Sequence, residues 1–170
     1  MSKKVAVLVT DLYEDIELDD PLKALHEAGH HTTLIDVEGN KTIKGKKGGS
    51  ARIDKGVNDV APSDYDALFI PGGFSPDSLR KSEAILDFTR HFHHEEKPIF
   101  AICHGPQILI NAEVIEGKAV TSAPQVAIDL KNAGAMWEDS EVVTCDSGLV
   151  SSRGPEDLPA FNEAMLEALN

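Results

Sequence analysis

The residue whose surroundings most directly suggest chemistry is Cys103, within residues 97–110. This segment predicts a buried strand, a sharp turn that carries the cysteine, and a helix that begins near Pro106, whose missing N–H suits a first helical turn. Ala101 and Gly105, two positions away on each side, are small, as a tight reversal at a nucleophile requires. A thiol at a helix N-terminus faces unpaired N–H groups and the positive end of the helix dipole, which both favour the reactive thiolate. The alternative is a buried apolar cysteine that ends a core strand.

Two other groups of candidate residues follow predicted buried strands. The acids Glu14, Asp15 and Glu17 come after the first strand, and the turn Pro71-Gly72-Gly73 comes after the third. Ligands of parallel sheets bind beyond the carboxyl ends of the strands, so these groups should meet Cys103 at one edge. An ionised acid there would oppose a thiolate, whereas a protonated one would donate a hydrogen bond to it. The backbone N–H groups of Gly73 and His104 are candidate donors to an oxyanion, and Gly72 in the same turn is a further candidate to bind the substrate or the oxyanion. The alternatives are solvated acids and an ordinary turn.

The sequence restricts which base could assist the cysteine. Class I glutamine amidotransferases share this elbow but use a downstream His-x-Glu pair, and no histidine follows His104 in this chain. Glutaminase chemistry by that triad is therefore excluded, and His104 is the histidine joined to the elbow. Three other histidines precede Glu95 and Glu96, at 91, 93 and 94, but their spacing is not the i, i+4 pair of a helical zinc site. A solvated helix end is favoured there, and no metal site is predicted.

The elements that must position these residues alternate between strand and helix. Strands are predicted at 4–10, 31–37, 65–70 and 98–102, with short late strands at 120–122, 141–144 and 149–152. Helices are predicted at 14–28, 82–94, 125–133 and 155–169, and residues 39–56 are expected to form a loop or short hairpin. This order favours an α/β fold with a mostly parallel sheet and helices on both faces. No linker or repeat divides the chain, so one domain spanning residues 1–170 is expected.

Composition excludes several classes of function. The formal net charge of −13 opposes binding to nucleic acid or to anionic membranes. No apolar run approaches the roughly 20 residues that cross a bilayer, and no signal peptide is visible, so a cytoplasmic location is expected. The two cysteines, Cys103 and Cys145, are far apart, and no structural disulfide is expected. No P-loop or GxGxxG is present, and no cofactor is predicted.

Three remaining features have weaker interpretations. Cys145 is expected to be a structural thiol, and the basic stretch 41–47 is expected to be a solvated loop. Arg153, near the end of a late strand, is a candidate to bind an anion near the site or to form a surface salt bridge.

Three separated segments, in this order, resemble the DJ-1/PfpI superfamily, most closely its PfpI-type branch. They are Tyr13-Glu14-Asp15-Ile16-Glu17, Pro71-Gly72-Gly73-Phe74-Ser75-Pro76-Asp77 and Ala101-Ile102-Cys103-His104-Gly105-Pro106-Gln107. The resemblance extends from Lys3 to the last predicted helix. It implies a flavodoxin-like three-layer sandwich.

The resemblance also implies roles for four residues. Cys103 corresponds to the nucleophile, Glu17 to a protonated carboxyl partner of the thiol, and His104 to a base-like residue. In the PfpI-type branch that histidine is oriented by an acid of a neighbouring subunit, and the matching residue is Asp77. The archaeal protease of that branch has Glu at this position, so the side chain of Asp77 is one methylene group shorter than its counterpart. Self-association into a dimer or hexamer is therefore expected to complete the site.

Activities attributed to this superfamily leave three functions open for the chain. The favoured one is cysteine-dependent stress protection, by hydrolytic removal of early glycation adducts or by conversion of the small aldehyde methylglyoxal to lactate. The second is an ATP-independent intracellular cysteine peptidase. The third is non-enzymatic, as a redox sensor or chaperone, which needs only an exposed thiolate with a low pKa.

Overall fold

Eleven strands and six α-helices make up the computed structural model, which describes all 170 residues. The strands are β1 (Lys4–Leu8), β2 (His31–Asp36), β3 (Lys41–Lys44), β4 (Ser50–Ile53), β5 (Lys55–Gly56), β6 (Ala67–Ile70), β7 (Ile99–Ile102), β8 (Ala119–Val120), β9 (Met136–Trp137), β10 (Val143–Thr144) and β11 (Leu149–Ser152). The helices are α1 (Asp15–Glu27), α2 (Ser75–Leu79), α3 (Glu83–His94), α4 (Pro106–Asn111), α5 (Ala127–Asn132) and α6 (Leu158–Ala168).

Seven strands form the central sheet, in the order β10-β11-β7-β6-β1-β2-β5. Every pairing is parallel except that of β10 with β11, which is antiparallel. The expected mostly parallel sheet is confirmed. Because β7, β6 and β1 are neighbours, the segments that follow them meet at one edge of the sheet, as the sequence predicted for the three candidate groups.

Alternate residues of the central strands enter two different cores. In β1, Val5 and Val7 belong to an 18-residue cluster that includes apolar residues of α1 and α6. Ala6 and Leu8 belong to a 25-residue cluster that includes those of α3, α4 and α5. A strand that is buried on both faces has a continuous run of apolar residues in its sequence. For this reason the sequence predicts β1, β6 and β7 well. The result is a layer of helices on each side of the sheet.

The polar segment 39–56 contains the antiparallel β3–β4 hairpin, one of its two expected forms, followed by β5 at the sheet edge. The structure departs from the sequence prediction in other short elements. The strand predicted at 120–122 ends at Val120, because the Thr121 N–H donates to Ser151 Oγ and the Ala123 N–H to the Cys103 carbonyl oxygen. Helix α2 was not predicted, since five residues with a proline read as a turn. No helix in the molecule is both long and apolar enough to cross a membrane.

Candidate active site

Cys103 occupies a sharp turn between β7 and α4 and has a left-handed backbone conformation, with φ of 63°. Few residues other than glycine adopt this region, and such strain persists only where the surroundings enforce it. The Cys103 N–H donates to the Ser152 carbonyl at 3.0 Å, and its carbonyl accepts from the Ala123 N–H at 2.9 Å. A Cβ on Gly105 would lie 2.5 Å from the Ile70 carbonyl oxygen, so the turn requires glycine there. These contacts hold the thiol at the edge of the sheet.

Glu17, on the first turns of α1, has no solvent exposure and points at this thiol. Its Oε1 accepts the Gly72 N–H at 3.0 Å, its Oε2 has no hydrogen-bond partner, and the carboxyl group interacts with the Cys103 thiol. Burial, together with the negative charge of Glu14, raises the pKa of Glu17 to about 7. Near neutral pH this carboxyl group can therefore both hold and release a proton.

The pKa of the Cys103 thiol is raised, to about 12, mainly by burial and next by the charge of Glu17. The backbone N–H groups of Gly73 and His104 act in the opposite direction by hydrogen bonding to the sulfur. The N–H groups at the turn therefore favour the thiolate, as expected, but burial and the charge of Glu17 outweigh them in the resting site. Helix α4 has only six residues, and the loss of solvent around the sulfur outweighs its dipole.

The ring of His104 lies beside the thiol, with Nδ1 3.2 Å from Cys103 Sγ. Burial, and then the positive charge of Lys46, lowers the pKa of His104, whereas the charge of Asp77 opposes this. The ring is therefore neutral near pH 7 and able to accept a proton. Asp77 lies on α2 with an exposed side chain that pairs with Arg80 at 2.7 Å, and it makes no hydrogen bond to His104 of its own chain.

Gly72 and Gly73, which follow β6, have different roles in the site. The Gly72 N–H is used by Glu17, so it orients the acid and is not free to bind an oxyanion, in contrast to the expected role. A Cβ on Gly72 would lie 2.4 Å from Glu17 Oε1 and 2.7 Å from the Cys103 Cβ, which explains the need for glycine. Gly73 has a φ of 82°, and its N–H is directed at the sulfur together with that of His104.

Sequence reasoning missed one charged group of the site. Lys46, in the turn of the β3–β4 hairpin, influences both Glu17 and His104 and lies 3.4 Å from Glu14 Oε1. Lys46 is exposed and lies in a turn, as expected for the basic stretch, whereas Lys41–Lys44 of that stretch form β3. The glycines on both sides of the Lys46-Lys47 pair were the available sign of a tight turn.

Other candidate residues do not join the site. The Arg153 guanidinium contacts Asp157 through two nitrogens, at 2.9 and 3.0 Å, and Asp139 at 2.9 Å, so it forms the salt bridges that were one of its two interpretations. Cys145 is a free thiol at the turn between β10 and β11. No group of three or more His, Cys, Asp or Glu residues is placed to hold a metal ion.

Comparison with known proteins finds a sequence model of the DJ-1/PfpI family that matches residues 3–168. General stress protein 18 of Bacillus subtilis is 49% identical over 170 residues, with 99% of each chain covered. Protein/nucleic acid deglycase 2 of Escherichia coli is 51% identical over 170 residues, with the same coverage. The B. subtilis protein named "Putative cysteine protease YraA" is 50% identical over 169 residues, again with 99% of each chain covered.

Solved structures show the same fold. A two-domain protein of Anabaena variabilis, with DJ-1/ThiJ/PfpI-like and ferritin-like domains, superposes with a TM-score of 0.95 at 36% identity. The match covers 98% of this chain and 48% of that one, so this chain spans about half of the two-domain protein. Drosophila melanogaster DJ-1beta superposes with a TM-score of 0.88 at 27% identity, over 99% of this chain and 96% of the other. The expected flavodoxin-like α/β class is thereby confirmed.

Proposed function

The chain belongs to the DJ-1/PfpI family, and from this premise we propose that it is a cysteine-dependent stress-protection enzyme. Its substrate is methylglyoxal or an early glycation adduct of a protein, and its product is lactate. One observation carries the proposal. The Cys103 sulfur lies between a buried carboxyl group, a neutral imidazole 3.2 Å away and two directed backbone N–H groups. The relative named as a deglycase supports the same substrate class.

The proton that Cys103 must lose has an acceptor in the neighbouring carboxyl group of Glu17. When Glu17 is ionised and the thiol is neutral, the pair carries one negative charge. Transfer of the thiol proton to Glu17 keeps that charge but moves it to the sulfur, where the Gly73 and His104 N–H groups stabilise it. A thiolate formed in this way lies beside a neutral carboxyl group, so it avoids the repulsion that an ionised Glu17 would exert. The thiolate therefore forms at the moment of attack even though the resting thiol has a high pKa.

The proposed reaction starts when the thiolate attacks the aldehyde carbon of methylglyoxal and forms a hemithioacetal. A base removes the proton from that carbon, and a proton is returned to the neighbouring ketone carbon, which yields a lactoyl thioester. We assign these proton movements to Glu17 and His104. Water then hydrolyses the thioester, which releases lactate and restores the thiol. The sum is methylglyoxal plus water to lactate and a proton, and every step uses side chains and N–H groups of this chain.

A peptidase is the second candidate, favoured by the relative named as a cysteine protease. Peptide hydrolysis would use the same nucleophile, with His104 protonating the leaving amine. A cytoplasmic location is part of both proposals, and it is supported by the two free thiols, which suit a reducing compartment.

The test is methylglyoxal consumption with lactate detection, in a buffer free of amines. We expect Cys103→Ser to abolish lactate formation and Cys145→Ser, its matched control, to retain it. Early glycation adducts dissociate back to free methylglyoxal. The removal of adducts by wild type and variant is therefore compared at equal concentrations of free methylglyoxal. Undiminished lactate formation in Cys103→Ser would contradict the proposal. Cysteine-dependent cleavage of a casein substrate without any lactate would favour the peptidase.

A further inference from the structure

The turn that carries Cys103 is held by a short segment outside the central sheet, residues 121–123. The Ala123 N–H donates to the Cys103 carbonyl at 2.9 Å. At the other end of the segment, the Thr121 N–H donates to Ser151 Oγ on β11, also at 2.9 Å. All three residues of the segment are buried, with at most 4% of their surface exposed. The segment therefore joins the central sheet to the backbone of the cysteine.

A chain of side-chain hydrogen bonds fixes the conformation of this segment. The Trp137 Nε1–H donates to Ser122 Oγ at 3.0 Å, and the Ser122 hydroxyl donates to the Ala123 carbonyl at 2.8 Å. Because the carbonyl and the N–H of Ala123 are both hydrogen-bonded, rotation about its φ and ψ is limited. Pro124 restricts it further, since a residue before proline favours the extended or polyproline region, and Ala123 has φ of −52° and ψ of 137°. Three consecutive hydrogen bonds thus lead from Trp137 to the Cys103 carbonyl.

The position of Trp137 is set by contacts that do not involve the cysteine. In the pairing of β8 with β9, Trp137 lies opposite Val120, and the Glu138 N–H donates to the Val120 carbonyl at 2.9 Å. The indole ring packs against the 25-residue core cluster, and Lys131 Nζ lies 5.4 Å from its centre. The indole N–H is therefore a fixed donor for the Ser122 hydroxyl.

Cys103 would not keep its conformation without such support. Its left-handed φ of 63° is strained for a residue that has a side chain. In this conformation the Gly73 and His104 N–H groups are directed at the sulfur. The Cys103 N–H continues the β7–β11 ladder by donating to the Ser152 carbonyl, so the bond from Ala123 is the support that lies outside the sheet. Without it the turn would relax and the sulfur would leave its donors.

We propose that Ser122 and Trp137 are positioning residues for the reaction of Cys103. They hold the Ala123 N–H on the Cys103 carbonyl and so keep the sulfur against its hydrogen-bond donors. The inference rests on the proposed function, because it takes Cys103 as the reacting residue. Neither side chain hydrogen-bonds to the sulfur, so both act on the reaction of bound substrate and not on its binding. We expect Ser122→Ala to lower kcat for lactate formation by about tenfold, and Trp137→Phe by about threefold, with KM unchanged.

Alkylation by iodoacetamide tests the inference without turnover. The thiol loses its proton to the solvent, and the sulfur then displaces iodide and forms one C–S bond. The rate at each cysteine is measured by mass spectrometry of its peptide. Loss of the N–H donors disfavours the thiolate, so we expect Ser122→Ala to slow alkylation of Cys103 by about fivefold at pH 8, and Trp137→Phe by about twofold. Alkylation of Cys145 should be unchanged in both variants.

Thr89→Val is the matched control for Ser122→Ala. Thr89 is also fully buried, and its hydroxyl donates to a backbone carbonyl, that of Ile85 within α3, at 2.9 Å. Its loss should leave kcat and both alkylation rates within about twofold of wild type.

A purely structural role for Ser122 gives the opposite result at the thiols. Loosening of the fold exposes both cysteines, so Cys103 and Cys145 would then be alkylated faster in Ser122→Ala. That outcome, an unchanged rate at Cys103, or equal slowing in Thr89→Val would overturn the inference. If the wild type forms no lactate but Ser122→Ala still slows alkylation of Cys103, the proposed activity is refuted and the positioning of the thiol is supported.

Discussion

Glu17 makes the stability of the protein depend on pH. Its carboxyl group keeps a proton up to about pH 7 in the folded chain, against an ordinary value of 4.5. Between these values the native state binds more protons than the unfolded state, so the free energy of unfolding falls as the pH rises. Glu17→Gln retains an oxygen for the Gly72 N–H but does not titrate. We expect it to match the wild type near pH 4.5 and to be more stable by about 2–3 kcal/mol near pH 8, as measured by urea denaturation.

The same substitution separates stability from activity. The amide cannot take the thiol proton, so we expect lactate formation to fall by at least about 100-fold while the fold gains stability. Glu27→Gln, at an exposed position of the same helix, is the control and should alter neither quantity. If the stability difference between Glu17→Gln and wild type were the same at pH 4.5 and pH 8, Glu17 would not have the raised pKa on which the proposed proton transfer depends.

At the scale of elements, Asp15 joins the start of α1 to the β3–β4 hairpin. Its carboxylate accepts the Lys47 N–H at 3.0 Å and the Gly49 N–H at 2.8 Å, and these bonds help to lower its pKa. A Cβ on Gly45 would lie 2.3 Å from Asp15 Oδ1, so the turn and the acid are closely fitted. The hairpin, and Lys46 with it, is therefore positioned by a residue of the helix that carries Glu17.

We expect Asp15→Ala to loosen the turn without unfolding the sheet. Hydrogen exchange at the Lys47 and Gly49 amides should accelerate by at least about tenfold, while amides of β1 and β6 keep their protection. The exposed Asp19, on the same helix, gives the control variant Asp19→Ala, which should leave these amides unchanged. Equal protection in wild type and Asp15→Ala would show that the backbone contacts of the turn hold it without the carboxylate.

The elements also show what a sequence can and cannot predict. The buried strands β1, β6 and β7 are visible as apolar runs, and their adjacency places Glu17, Gly72 and Cys103 at one edge. The role of Lys46 was hidden, because it depends on hydrogen bonds between segments more than 30 residues apart. The high pKa of Cys103 was hidden as well, since burial is a property of the packed molecule and local helix geometry does not report it.

At the scale of the whole molecule, the second acid expected at His104 stays a prediction. Asp77 is exposed, pairs with Arg80 on α2, and lies near enough to His104 for its charge to raise the pKa of that ring without a hydrogen bond. An exposed acid on the same edge as the thiol is available to a second copy of the chain. In a closed oligomer, each subunit can supply Asp77 to the His104 of a neighbour.

Mixed assemblies test this exchange. Cys103→Ser and Asp77→Ala chains should each be weakly active or inactive alone. When they are co-expressed in equal amounts and assemble at random, about a quarter of the sites combine an intact Cys103 with a neighbour's Asp77, whether the assembly is a dimer or a larger ring. We therefore expect about a quarter of wild-type lactate formation. Pairing Asp77→Ala with the double variant Cys103→Ser/Asp77→Ala is the control and should restore none. If the first mixture also restores none, Asp77 acts within its own chain. If Asp77→Ala alone keeps wild-type activity, Asp77 has no role, and in either case the site is complete in a single subunit.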